Sequence, residues 1–270
     1  MIRIQCGDCT KALLSIPDKT IDLVVTSPPY DNLRDYKGNI QHFSWEIFCH
    51  IVTELYRVLK VGGVVVWVVN DATLNGSESL TSFKQAIRFR EEGFLLYDTM
   101  IYAKSGLTLN HRRYEQEFEY MFVFTKGRPK TFNPIRVKCK YPEKDGSRAG
   151  QTYSKTDEPH RKSRSGKARN PVKSTKIKGN IWYYPTGYNH STRDRYAFEH
   201  PAIFPEQLAI DHIISWTNEG DTVLDPMMGS GTVGKCAKGL DRNFYGIEVE
   251  PSYFAIAKKR ISEQEKGGLL

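Results

Sequence analysis

The sequence predicts an α/β fold: a mostly parallel sheet with helices on both faces, built in a circularly permuted order and interrupted by a basic insert. Three observations carry this expectation. Apolar runs of strand length alternate with helical periodicities on both sides of the insert. A glycine-rich strand-turn-helix loop lies near the end of the chain rather than near its start. Charge is also uneven: residues 127–178 hold 16 basic and 4 acidic side chains, so the rest of a chain of net charge +8 carries −4.

The elements follow in order. Residues 2–5 read as a short strand, and a helix starts near Cys9 with Asp8 as a plausible N-cap. Residues 21–26 form an apolar strand that stops at Ser27-Pro28-Pro29-Tyr30. Phe48, Ile51, Val52, Leu55, Val58 and Leu59 recur at helical spacing behind Ser44 as N-cap. Gly62-Gly63 is expected to end that helix, and residues 64–69 give the next strand. A helix over 80–92 and strands over 94–102 and 120–124 precede the insert. Apolar pattern resumes at Ile181-Trp182, and helices over 206–217, 232–240 and 253–261 alternate with strands over 222–224 and 243–247.

Composition bounds the function. At 39% hydrophobic and 12% aromatic residues the chain can build a core, and its 270 residues suit one large domain or one with a small companion. No apolar run approaches the ~20 residues of a membrane span. The N-terminal Met1-Ile2-Arg3-Ile4 reads as strand rather than as a leader. Five scattered cysteines suit a reducing cytosol, so a cytoplasmic location is expected. Cys6 and Cys9 form one CxxC, with no second pair and no nearby histidine, so reduced thiols are expected and no metal. The organisation expected is 1–126 and 179–270 as two halves of one domain and 127–178 as an insert whose charge fits a polyanion partner.

Asp225-Pro226-Met227-Met228-Gly229-Ser230-Gly231-Thr232-Val233-Gly234-Lys235 contains G-x-G-x-x-G in the required strand-turn-helix setting. Glu248 ends the next strand, where an acidic residue accepts hydrogen bonds from ribose hydroxyls. Three ligands compete. A nucleoside triphosphate is one, because Gly229 to Lys235 has Walker spacing, although Cys236 stands where a magnesium site wants Ser or Thr. A dinucleotide and S-adenosylmethionine are the others. After Glu248 only one helix remains, so the third strand of the nucleotide half has to come from the N-terminus.

Ser27-Pro28-Pro29-Tyr30 places two rigid prolines at the carboxyl end of a buried strand, where open α/β sheets bind ligands. Together these residues resemble the amino-methylating DNA methyltransferases, which modify the N6 amine of adenine or the N4 amine of cytosine. The two family signatures are (Asp/Asn/Ser)-Pro-Pro-(Tyr/Phe) and Asp-Pro-Phe-x-Gly-x-Gly-Thr. Residues 27–30 match the first and 225–232 the second, with Met227 where the family usually has Phe. The order of the two motifs around a recognition region is similar to the family's β group.

The resemblance implies a circularly permuted Rossmann-like methyltransferase fold and S-adenosyl-L-methionine as cofactor. It implies that Ser27 and the Pro28 carbonyl accept hydrogen bonds from the target amine while Pro29 stiffens the loop and Tyr30 stacks on a flipped base. Cofactor contacts fall to Asp8, Phe204, Asp225, Pro226, Met227, Gly229, Gly231, Thr232 and Glu248, with His200 acting through its backbone. Double-stranded DNA is the implied partner: insert residues such as Arg161, Arg164, Arg169 and Lys173 hold its phosphates, and the three arginines are the better candidates for bidentate guanine contact. Serine at the first motif position favours cytosine N4, with adenine N6 second. The sequence leaves the oligomeric state open, a homodimer being one option, and a companion restriction endonuclease sharing the site is typical of the family.

Overall fold

The computed structural model describes residues 1–29, 43–104, 113–139, 174–203 and 205–269. Every residue of strand β2 (Ile21–Thr26) is buried, as a strand must be when helices cover both faces of its sheet. It sits inside an eight-stranded sheet. From one edge the order runs β1 (Ile2–Cys6), β12 (Asn243–Glu248), β11 (Thr222–Asp225), β2, β3 (Leu59–Val69), β7 (Phe118–Thr125), β6 (Leu95–Ala103) and β10 (Ile181–Tyr183). All neighbours are parallel except β7, which runs antiparallel to both β3 and β6.

The permuted order is present. The first strand pairs in parallel with the last, from Ile2 opposite Phe244 to Cys6 opposite Glu248. Helices form two trios, α1 (Cys9–Leu14), α2 (Trp45–Val58) and α3 (Thr81–Glu92), then α4 (Glu206–Trp216), α5 (Thr232–Gly239) and α6 (Pro251–Glu263). Alternate strand residues divide between them. Val24, Val65, Trp67, Phe122 and Phe124 join the core with Leu13, Phe48, Leu55 and Phe89 of the first trio. Met121 instead faces His212 of α4 at 3.3 Å, and the Phe244 ring lies against Gly234 of α5.

One expectation is corrected. Gly62-Gly63 does not cap α2. That helix ends at Val58 and β3 begins at the next residue. The glycines instead form a bulge, because β2 pairs Ile21 with Leu59 but Leu23 with Val64. Gly62 has φ +83, and a Cβ there would lie 3.0 Å from the Lys130 nitrogen. The close return of the chain at Lys126 and Lys130, bonded to Gly62 at 2.7 and 2.9 Å, requires glycine. Within residues 127–178, β8 (Arg136–Lys138) and β9 (Thr175–Ile177) form an antiparallel ladder. A short hairpin, β4 (Thr73–Leu74) with β5 (Ser77–Glu78), turns at Asn75-Gly76. The chain divides into two compact units, Met1–Asn133 with Asn180–Leu270, and Pro134–Gly179.

Candidate active site

β11 leads through α5 to β12 on one side, and β2 leads through α2 to β3 on the other. The gap between β11 and β2 is therefore a topological switch point, where open sheets bind ligands beyond their carboxyl ends. Thr26 and Asp225 end these strands. The Thr26 hydroxyl donates to Asp225 Oδ1 at 2.8 Å, buried on both sides, and the Met227 N–H donates to the same oxygen at 3.2 Å. Burial pushes the Asp225 carboxyl from 3.8 up to about 7. The two donors oppose that rise and the nearby Glu248 charge adds to it.

The glycine loop turns over the end of β12. Met228 N–H donates to the Ile247 carbonyl at 2.9 Å, and Gly231 N–H to the Met228 carbonyl at 2.7 Å. Glu248 accepts Gly229 N–H on one carboxylate oxygen at 2.8 Å and Glu250 N–H on the other at 2.9 Å. Its pKa is raised, chiefly by burial, with these donors opposing. Gly229 has φ +49, and a Cβ there would lie 2.8 Å from His200 Nε2. Gly231, at φ +78, would meet the Ala257 backbone of α6 at 2.8 Å. Both positions demand glycine for space as well as for conformation.

A cavity of about 300 Å³ opens at this point. Asp8, Ser27, Pro29, Pro226, Met227, Gly229, Thr232 and Glu248, all expected from the sequence, line it. Pro28, Asp225 and Gly231 do not line it, and all three are buried. Asp8 caps α1, its carboxylate accepting from the Thr10 N–H and hydroxyl at 2.8 Å each, and it also borders the cavity. Tyr30, Phe204, Arg161, Arg164, Arg169 and Lys173 lie outside the described residues.

The structure adds wall residues that the sequence did not mark. Phe43, Ile47, Met228 and Tyr253 line the cavity, and so does Cys9, whose thiol burial pushes up to about 12, so that it stays protonated. His200 contributes its ring as well as its backbone. The imidazole packs edge-on to Tyr253 with centroids 4.4 Å apart, and its Nδ1 accepts the Ala202 N–H at 3.1 Å. These residues fall on five separated segments, so no local spacing announces them. Lys235, the Walker-position lysine, does not border the cavity. It donates to Asp194 at 2.8 Å and Glu206 at 2.9 Å.

The cavity's chemistry decides between the three ligands. The N-terminus of α5, at Thr232, borders the cavity, so charge makes the distinction: a polyphosphate also wants cations beside it. Among the described residues no lysine or arginine lines these walls, whereas Asp8, Glu248 and Glu250 do. Carboxylates facing an apolar slot of Phe43, Ile47, Met227 and Tyr253 fit a cationic, phosphate-free nucleoside, which S-adenosylmethionine is. The sequence model of the DNA methylase family matches residues 21–259. The chain belongs to the DNA methylase family.

Similar proteins agree with this membership. The orphan methyltransferase M.BamHII of Bacillus amyloliquefaciens is 49% identical over 260 residues, covering 92% of this chain and 91% of its own. The fold matches that of the PvuII DNA methyltransferase (cytosine-N4-specific) at TM-score 0.69 and 22% identity, covering 96% of this chain and 86% of that one. It also matches the M1.HpyAVI–SAM complex at TM-score 0.61 and 25% identity, covering 96% and 100%. This DNA methylase uses S-adenosyl-L-methionine.

Proposed function

We propose that this DNA methyltransferase places the methyl group on the N4 amine of a cytosine flipped out of double-stranded DNA. The observation that carries the reading is Ser27, a serine at the first position of the Ser-Pro-Pro loop, on the wall of the cofactor cavity. When bound, the cofactor supplies an activated sulfonium methyl. The chain's task is to make a poor nucleophile attack it. An aromatic amine has its lone pair delocalised into the ring. Acceptors aimed at its N–H bonds draw it toward a tetrahedral shape and take up the charge that develops.

Ser27 Oγ and the Pro28 carbonyl are those acceptors in this reading. Pro28 and Pro29 fix the loop's φ angles, so the acceptors hold their direction without reorganising. Thr26, one residue upstream, is tied to Asp225 and so fixes the amine's site against the cofactor's. Holding donor and acceptor in line is worth up to ~7–11 kcal/mol of the barrier. The base must leave the helix to reach this loop, which costs a few kcal/mol, and Tyr30 stacking on it offsets part of that. Arg161, Arg164, Arg169 and Lys173 hold the phosphates, and the three arginines are the candidates for bidentate guanine contact. The PvuII enzyme, at 22% identity, supports the fold alone, so the base assignment rests on Ser27. The orphan name of the 49% identical relative favours action without the cognate restriction endonuclease that the resemblance implies.

The test is nucleoside mass spectrometry of plasmid DNA methylated by the enzyme. N4-methylcytosine is expected. Finding N6-methyladenine alone would overturn the base assignment in favour of adenine. The Ser27→Ala variant should lose about 10²-fold or more in kcat while its S-adenosylmethionine affinity stays unchanged.

A further inference from the structure

Arg260 of α6 is a cation whose side chain is 0% exposed. Its guanidinium reaches three separate stretches of chain. Nε donates to Asp194 Oδ2 at 2.8 Å and Nη2 to Glu206 Oε1 at 2.8 Å and Thr192 Oγ1 at 3.3 Å. Nη1 donates to the Ser230 carbonyl at 2.8 Å and to the Ser230 and Thr232 hydroxyls at 3.0 Å each. Lys235 shares the same two carboxylates, so two cations face two anions. Such a neutral buried cluster is weak evidence for stability, because desolvating the charges offsets most of their attraction.

What the cluster does supply is geometry. Ser230 and Thr232 belong to the glycine loop, one wall of the cofactor cavity. Thr192 and Asp194 lead into the short 3-10 turn Arg195–Glu199 and then to His200 and Ala202, another wall. The two walls meet where His200 Nε2 approaches Gly229. Among the described residues, Lys235 donates to Asp194 and Glu206, whereas Arg260 bonds to both the glycine loop and the segment leading to His200. Ala257, one turn earlier on α6, presses on Gly231 from the same side.

We infer that Arg260 is a positioning residue for cofactor binding, holding the glycine loop and the His200 segment at the separation that S-adenosylmethionine requires. The inference rests on this cavity being the cofactor's. Only a planar guanidinium with donors along two edges bonds to both walls at once. An ammonium is a point charge and holds one side.

The test is S-adenosylmethionine affinity by calorimetry, with steady-state kinetics, on Arg260→Lys. Charge balance is retained. The expected result is a Kd and KM for the cofactor raised about 10- to 100-fold, the range seen when supporting partners of a ligand shell are lost. kcat at saturating cofactor should be little changed, as for a loss of uniform binding. Arg242→Lys is the control. Arg242 is also buried and bonded, to Thr217 at 3.0 Å, but does not border the cavity. It should lower Tm and leave the cofactor Kd unchanged.

A wild-type Kd in Arg260→Lys, or an equal loss in Arg242→Lys, overturns the inference. Should Arg260→Lys not accumulate as folded protein, Asp194→Asn loosens the same tether from outside the cavity, and an unchanged Kd there overturns it equally. Gly229→Val separates the two levels, since its side chain collides with His200. If Gly229→Val binds cofactor normally, the cavity assignment fails. If it does not while Arg260→Lys does, only the role of Arg260 fails.

Discussion

Thr26 and Asp225, 199 residues apart in sequence, are joined by a buried 2.8 Å hydrogen bond from the Thr26 hydroxyl to Asp225 Oδ1. The bond crosses the switch point between β2 and β11, so it links the Ser-Pro-Pro loop to the glycine loop directly. Asp225 is thereby a joint between the Ser-Pro-Pro side and the glycine-loop side of the cavity. Replacing Thr26 by valine keeps the shape and deletes the donor. A loss of about 1–3 kcal/mol in chemical denaturation is expected, because a buried acceptor is left short of a partner. Unaltered stability would show that the joint is idle.

Asp225 also gives a pH signature. Its carboxyl is pushed from 3.8 to about 7, first by burial. Below about pH 4 it is neutral in both folded and unfolded chains. Between about 4 and 7 the unfolded chain releases a proton that the folded one keeps, so this group's contribution falls as pH rises, and the loss is complete above about 7. Asp225→Asn retains the acceptor for Thr26 and Met227 but cannot ionise. Tm measured from acid to neutral pH should therefore fall more in the wild type than in Asp225→Asn. Parallel curves would refute the raised pKa.

Glu248 joins the cavity to β12 by accepting Gly229 and Glu250 N–H groups. Glu248→Ala removes both anchors and the carboxylate expected to meet the ribose. Hydrogen bonds to a charged group are worth about 1.5–3 kcal/mol, so the S-adenosylmethionine Kd should rise roughly 10- to 100-fold. Affinity for DNA should not change. Calorimetry with the cofactor, set beside a DNA titration, checks both.

Much of this site was legible because its parts are local. Ser27-Pro28-Pro29 and residues 225–232 are contiguous, and each sits at a strand end whose apolar run is plain. The β1–β12 pairing followed from the chain having no strand left after Glu248. Legibility stopped where the signal is spread out. The acceptors of Arg260 fall at 192, 194, 206, 230 and 232, a pattern that exists only after folding. Gly62-Gly63 misled because a helix-ending glycine and a bulge glycine look alike in one dimension. β8 and β9 are three residues each, too short and too charged for an apolar alternation.

The charge imbalance makes a quantitative prediction. If Arg161, Arg164, Arg169 and Lys173 each neutralise one phosphate, each removes about 0.9 from the slope of log K against log salt. Replacing all four by alanine should flatten that slope by about 3 to 4 and leave cofactor affinity intact. Fluorescence anisotropy on duplex DNA across a salt series measures it. A slope unchanged from wild type would move the DNA contact elsewhere.

Lys235 supplies the last discrimination. A P-loop lysine would face phosphate, but this one is spent on Asp194 and Glu206, with a side chain only 14% exposed. Those two partners hold its pKa above the usual lysine value, against the burial that would lower it, so it remains charged and paired. A ligand that binds only the folded chain stabilises it by RT ln(1 + [L]/Kd), about 2.7 kcal/mol at a hundredfold excess over Kd. S-adenosylmethionine should therefore raise Tm by a readable amount in differential scanning fluorimetry. ATP and NAD should not, because the cavity offers them carboxylates and no cation among its described walls. A shift with ATP that Lys235→Met abolishes would restore the phosphate-binding alternative.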